Sequence, residues 1–209
     1  MNLPVYEIFR SIEGETTAAG FTAVFIRTAG CNLNCLYCDT PNAREGGTEL
    51  SIPVILKKVE RLMPAHHITV TGGEPVIHGA VYPLLERLAD AGYLTRLETN
   101  GSIPLNRVNR KIQKIIDIKT PSSGEQDSFI PENLEFINTG DEIKFVIGDK
   151  NDYRFASDII LNKLGNCPAV LNLSPVHGVF DPSLLAEMII NDRLPVRFNL
   201  QIHKFAGFR

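Results

Sequence analysis

The 209-residue chain has no apolar run of membrane-spanning length, so no transmembrane helix is expected. Its first residues lack the basic and apolar regions of a secretory signal, and a cytoplasmic location is the expectation. A net charge of −3 provides no broad positive field, which argues against nucleic-acid and membrane partners. No internal repeat, low-complexity tract or linker interrupts the chain, so residues 1–209 read as a single domain. A hydrophobic share of 44% and a charged share of 22% are those of a folded soluble protein with a sizeable core. Cysteine is scarce, at four residues, yet three of the four are crowded together.

Cys31, Cys35 and Cys38 stand in the run GCNLNCLYCDT, just after the apolar stretch Ala23–Thr28. A [4Fe–4S] cluster normally takes four protein thiolates. Three close cysteines with no fourth nearby suggest a cluster with one iron left open for a ligand, which is a place for chemistry. Structural zinc is the competing reading, but it wants four ligands in a closed tetrahedron, and His66 and His67 lie far along the chain. A disulfide would leave one of the three unpaired. Cys167, beside Pro168, reads as a partly buried structural thiol, with a remote ligand as the alternative.

Short β-branched runs recur at Ala23–Thr28, Ile68–Thr71, Leu94–Thr99, Ile115–Lys119, Glu142–Ile147, Val170–Leu173 and Val196–Gln201. Several are apolar throughout, as strands covered on both faces should be. Helical patterns fall between them. Ile52–Leu62 has Ser51 as a plausible N-cap, Val81–Ala91 ends at Gly92, Asp152–Leu164 ends at Gly165, and Ser183–Ile190 follows Pro182. This alternation predicts α/β units around a parallel sheet. Asn100–Ile115 and Thr120–Asp141 have room for short helices at best, and the chain is short for an eight-unit barrel. A partial (β/α)6 barrel with reduced helices is the expected fold; a doubly wound open sheet is the alternative. Polar residues end many of these strands: Gly72, Gly73 and Glu74, Glu98 and Asn100, Asp117 and Lys119, Asn172 and Ser174. In parallel sheets such ends gather functional groups on one rim.

The cysteine spacing, followed by Thr71-Gly72-Gly73-Glu74-Pro75 at the next strand end, resembles the radical S-adenosylmethionine superfamily. Ser11-Ile12-Glu13-Gly14-Glu15, Phe25-Ile26-Arg27, Cys38-Asp39-Thr40-Pro41, Leu97-Glu98-Thr99-Asn100-Gly101 and Asp117-Ile118-Lys119 make the match finer. Together they resemble the 7-carboxy-7-deazaguanine synthase family of 7-deazapurine and queuosine biosynthesis. Thr16 departs from the pattern, since a glycine often follows the Glu-Gly-Glu run.

The resemblance implies a radical core with a [4Fe–4S] cluster, S-adenosylmethionine and Mg²⁺. The substrate would be 6-carboxy-5,6,7,8-tetrahydropterin, and the reaction a ring contraction with loss of ammonia. Cys31, Cys35 and Cys38 would hold the cluster and Thr40 the Mg²⁺. Tyr37, Cys38, Asp39, Gly73, Glu74, Glu98, Lys119 and Ser174 would border the cofactor, with Glu74 orienting the glycine turn. Ile12, Glu13 and Gly14 would form a loop over the substrate, joined by Arg27, Thr71, His203 and Arg209. A flavodoxin or ferredoxin-type reductant and a homodimer are implied as partners. Two competitors stand beside this reading. One is a radical activating enzyme that makes a glycyl radical on a partner protein; the other is a non-catalytic iron–sulfur or zinc module.

Overall fold

A computed structural model describes residues 1–208. Nine strands form one sheet in the order β3-β1-β2-β4-β5-β6-β7-β8-β9. In chain order they are β1 (Asn2–Ile12), β2 (Thr22–Thr28), β3 (Thr48–Ser51), β4 (His67–Gly72), β5 (Thr95–Thr99), β6 (Gln113–Asp117), β7 (Glu142–Ile147), β8 (Val170–Pro175) and β9 (Arg197–Phe198). From β2 onward every neighbour is parallel, and the pairing carries Phe25↔Thr69, Val70↔Leu97, Ile116↔Ile143 and Phe145↔Leu173 side by side. β1 and β3 extend the β2 edge antiparallel. The sheet is open, with β3 and β9 as its edges, and it is the partial barrel that the alternating pattern predicts.

The helices are α1 (Ile52–Leu62), α2 (Val81–Asp90), α3 (Lys150–Lys163), α4 (Pro182–Asn191) and the short α5 (Ile202–Ala206). Ile55 and Val59 of α1 and Leu84, Leu85 and Leu88 of α2 are buried in the same core as Ile68, Val70 and Leu97 of the strands. Of the reduced segments, the one between β5 and β6 holds no helix, and Thr120–Asp141 holds only 3₁₀ turns, at Pro121–Ser123 and Pro131–Phe136. α3 starts earlier than its apolar pattern suggests. Asp149 caps it, accepting from the Asn151 and Asp152 amides at 2.8 Å each. Ser51 sits at the start of α1 without a side-chain cap bond, because it also ends β3.

Two placements correct the sequence reading. β8 runs on to Pro175, so Asn172 and Ser174 lie inside the strand and not at its end. The turn between β1 and β2 also lies at the opposite end of the sheet from the cysteines. Because β1 is antiparallel to β2, this turn sits where the parallel strands begin. Thr17 bonds there to Glu142, the first residue of β7. Ile12, Glu13 and Gly14 therefore form a floor beneath the barrel, not a cover above it.

Candidate active site

The cysteine loop leaves β2 at the carboxyl end of the sheet, and its conformation is fixed from several sides. The Leu36 amide donates to the Ser123 carbonyl at 3.0 Å, and the Asn34 amide to Glu125 at 2.7 Å. Arg44 bonds to the Cys35 carbonyl at 2.7 Å and to the Asn34 side chain. The 3₁₀ turn that receives Leu36 is itself anchored by Asp152 of α3, which accepts from the Ser122 amide at 2.8 Å.

The glycine turn after β4 packs into this loop. A β-carbon on Gly73 would stand 2.1 Å from the Gly30 carbonyl oxygen and 2.8 Å from Cys31 Cβ. Gly72 has φ +152°, and a β-carbon there would stand 2.3 Å from Thr28 Oγ1. The glycines thus allow two backbone segments to meet, which sets Cys31 against the end of β4. Glu74 lies beneath them, fully buried. It accepts from the Asn100 amide at 2.6 Å, Thr99 Oγ1 at 2.8 Å and the Val76 amide at 3.2 Å. Burial pushes its carboxyl up to about 7 despite these donors. Glu74 holds the turn's shape and is not part of the cavity wall.

A cavity of about 390 Å³ opens between cysteine loop and floor. Cys31, Cys35 and Cys38 line it, as do Tyr37, Asp39, Thr40, Gly72 and Gly73. Arg27, Thr71, Glu98 and Lys119 contribute from the strands, and Ile12, Glu13 and Gly14 from below. His203 and Phe208 close one side. Nearly every site residue expected from sequence therefore reaches one space. Ser174 does not: it is buried and accepts from Asn199 at 2.8 Å. Arg209 lies outside the described residues. Cys167 packs against the core, away from the cavity.

The three cavity cysteines are free and half-buried. Burial pushes the Cys31 and Cys35 thiols up, while the nearby Lys119 ammonium favours their thiolates. Among the described residues no three His, Cys, Asp or Glu side chains gather about one point. A cubane makes a different demand, because each thiolate meets its own iron corner. Three thiols on one open wall, backed by a cation, fit that demand.

Sequence reading named Glu98, Asp117 and Lys119 at strand ends but missed Lys144, Arg96 and Glu142, which join them into an interior layer of charge. Lys144 Nζ sits 2.7 Å from Glu15 and 3.5 Å from Asp117, which pairs with Lys119 at 3.1 Å. Burial pushes Lys119 and Lys144 down, but the carboxylates beside them hold both above the usual lysine range. Glu98 accepts from Thr71 Oγ1 at 2.8 Å. Burial and the neighbouring Glu13 carboxylate push it up to about 7. Below, the fully buried Arg96 pairs with Glu142 at 2.9 Å and Glu13 at 3.3 Å. Its other partners are Thr16 Oγ1 at 2.7 Å and Gln113 at 2.9 Å. Glu13 also takes bonds from His67 and Thr69, and these with Arg96 keep its carboxyl below the usual range in spite of burial.

The chain's last described segment ties floor to cysteine loop. Ile202 donates its amide to the Gly14 carbonyl at 2.9 Å, and Gln201 reaches Glu15 at 2.5 Å. Lys204 pairs with Asp39 at 3.2 Å. Gly14 gives room to His203, since a β-carbon there would fall 1.9 Å from His203 Nδ1 and the imidazole would have to move.

The partial barrel and its three-cysteine cavity define a protein of the radical S-adenosylmethionine class, and the Radical SAM superfamily model matches residues 25–126. The curated 7-carboxy-7-deazaguanine synthase of Koribacter versatilis is 38% identical over 97% of this chain and 96% of its own length. That of Chlorobaculum tepidum is 40% identical, covering 97% and 93%. The crystal structure of QueE from Escherichia coli superposes with a TM-score of 0.80 at 25% identity, covering 96% of this chain and 94% of that one. A more distant likeness in fold alone is to Streptococcus suis SuiB, with a TM-score of 0.60 at 14% identity over 83% of this chain and 47% of that one. The chain belongs to the 7-carboxy-7-deazaguanine synthase family. It is a radical S-adenosylmethionine enzyme that uses a [4Fe–4S] cluster and S-adenosylmethionine.

Proposed function

We propose that this enzyme contracts 6-carboxy-5,6,7,8-tetrahydropterin to 7-carboxy-7-deazaguanine, releasing ammonia. The observation that carries the reading is one cavity walled by the cysteine loop above and the Glu13–Gly14 floor below, in a chain related to these synthases over 97% of its length. When bound, the cluster and S-adenosylmethionine would supply the one-electron chemistry that removes a hydrogen atom from the substrate. Everything else is placement by the chain. Cys31, Cys35 and Cys38 hold the cluster, and Tyr37, Asp39, Gly73, Glu98 and Lys119 surround the cofactor.

Arg27 takes the substrate carboxylate. Its Nε is held by Glu7 at 2.9 Å and its guanidinium lies over the Phe9 ring, so the planar fork is pre-set for two oxygens. Ile12, Glu13, Gly14, Thr71 and His203 read the bicyclic ring. Thr40 presents its hydroxyl at the cavity edge to Mg²⁺, which keeps waters and takes substrate oxygens besides one or two protein ligands. No helix among the described residues is long and apolar enough to cross a membrane. A cytoplasmic single-domain enzyme, working as a homodimer with a flavodoxin or ferredoxin-type reductant, completes the reading.

The test is anaerobic turnover of the reconstituted protein with carboxytetrahydropterin and no partner protein except a reductant. Deazaguanine product is expected; its absence refutes the assignment and favours an activating enzyme. In the same assay Thr40→Ala should lose most of the stimulation by added Mg²⁺ while retaining its iron. Unchanged magnesium dependence removes Thr40 from the metal site.

A further inference from the structure

The floor of the cavity has a connection to solvent that the proposed reaction does not otherwise use. His66 is exposed at the start of β4 and stacks on Phe21, ring centroids 4.2 Å apart. Its Nδ1 lies 3.2 Å from Nδ1 of the buried His67. Nε2 of His67 lies 3.2 Å from Glu13 Oε2, and Glu13 lines the cavity. Thr69 Oγ1 at 3.0 Å and Arg96 Nη1 at 3.3 Å fix the same carboxylate oxygen. These contacts also select the tautomers. An ionised Glu13 calls for a proton on His67 Nε2, which makes His67 Nδ1 an acceptor and His66 Nδ1 the donor. Every link then carries one proton, aligned in one direction.

We propose that His66, His67 and Glu13 form a proton path between the cavity and the solvent beneath the barrel. The proposal rests on the ring-contraction reading. In that reaction the departing nitrogen gains a proton as its bond to carbon breaks and the bonding pair moves to nitrogen. A ring carbon gives up a proton as the new five-membered ring becomes aromatic. The two protons balance when ammonia leaves, and no oxidant is needed. They are not exchanged at the same atom or moment, so one must be stored or moved.

Inward transfer places a solvent proton on His66 Nε2, moves the Nδ1 proton to His67, and moves the His67 Nε2 proton to Glu13. Glu13 then protonates the departing nitrogen. Outward transfer of the ring-carbon proton along the same atoms restores both rings. His66 and His67 act through Glu13, so they position and pass the proton without touching substrate.

Three variants test the path in the reconstituted enzyme. His67→Gln can still donate to Glu13 but cannot relay. His66→Phe keeps the stack on Phe21 without nitrogen, and His66→Ala opens room for imidazole. Each should lower kcat by about a hundredfold or more, the range general acid–base groups contribute, with KM and iron content near wild type. Added imidazole should restore His66→Ala and leave His67→Gln unchanged. Nitrogen-15 spectra of the cofactor-free protein should show His67 protonated at Nε2 and His66 at Nδ1. An active wild type with unaffected variants, or His67 protonated at Nδ1, overturns the path. An inactive wild type refutes the reaction assignment instead, and the spectra still decide the geometry.

Discussion

Arg27 and Cys35 show how differently two residues of one cavity should respond to loss. Cys35 is one of three thiols facing the same open wall, and no nearby cysteine can replace it. Cys35→Ala is expected to abolish turnover with loss of the cluster, read by iron analysis and visible absorbance; retained turnover would contradict the assignment. Arg27 lines the same cavity, and its proposed partner is the substrate carboxylate. Removing a bidentate partner leaves a carboxylate unpaired in the cavity, which costs about 2–5 kcal/mol. Arg27→Ala should therefore raise KM at least tenfold and leave S-adenosylmethionine binding, read by calorimetry, nearly intact. Equal damage to both would mean that the arginine is structural. Thr16 explains itself at this scale. Its φ is +69°, the left-handed region where glycine is at ease and threonine costs about 1–3 kcal/mol. Its amide bond to Asn199 and its hydroxyl bond from Arg96 offset that cost.

Among the elements, the turn after β4 governs the cysteine loop through contact between two backbones. Gly73→Ala forces a methyl against the Gly30 carbonyl and Cys31 Cβ, neither of which is the end of a flexible side chain. Cluster content should fall several-fold on reconstitution, while far-ultraviolet circular dichroism stays near wild type. Full iron loading would show that the loop yields. The elements also show what sequence can convey. The parallel strands and α1 were legible because both-sided burial gives continuous apolar runs and one-sided burial gives a helical stripe. β1 was not. It is an edge-side strand carrying Pro4, Glu7 and Arg10, and Glu7 serves an ion pair with Arg27 twenty positions away. Without the partner in view, such a segment resembles a polar lead-in. The direction of the β1–β2 turn was hidden for the same reason, since only the pairing fixes which end of the barrel it closes.

Across the whole molecule, the feature least visible in sequence is the charge inside the barrel. Arg96, Glu142 and Lys144 are buried, yet charged residues within strands read as solvent-facing until their partners are located. Those partners are remote: Arg96 reaches Thr16 across 80 positions and Lys144 reaches Glu15 across 129. Motifs revealed the rim because their chemistry is local; the layer under it depends on topology. This layer sets a pH response. Glu98 rises from an ordinary 4.5 to about 7, so the folded state binds its proton more tightly than the unfolded chain. Its contribution is fully present below about pH 4.5 and is lost as pH rises through 7, by up to about 3 kcal/mol. In Glu98→Gln the urea midpoint of the cofactor-free protein should fall less between pH 5 and pH 7.5 than in wild type. Identical slopes would show that Glu98 is ionised throughout.

The thiols and the exposed imidazole of His66 occupy opposite poles of the same strands. On the proposed reading, a reductant that approaches the thiols does not block traffic in water and hydrogen ions at the lower pole. Electron supply and acid–base exchange then need not take turns at a shared doorway.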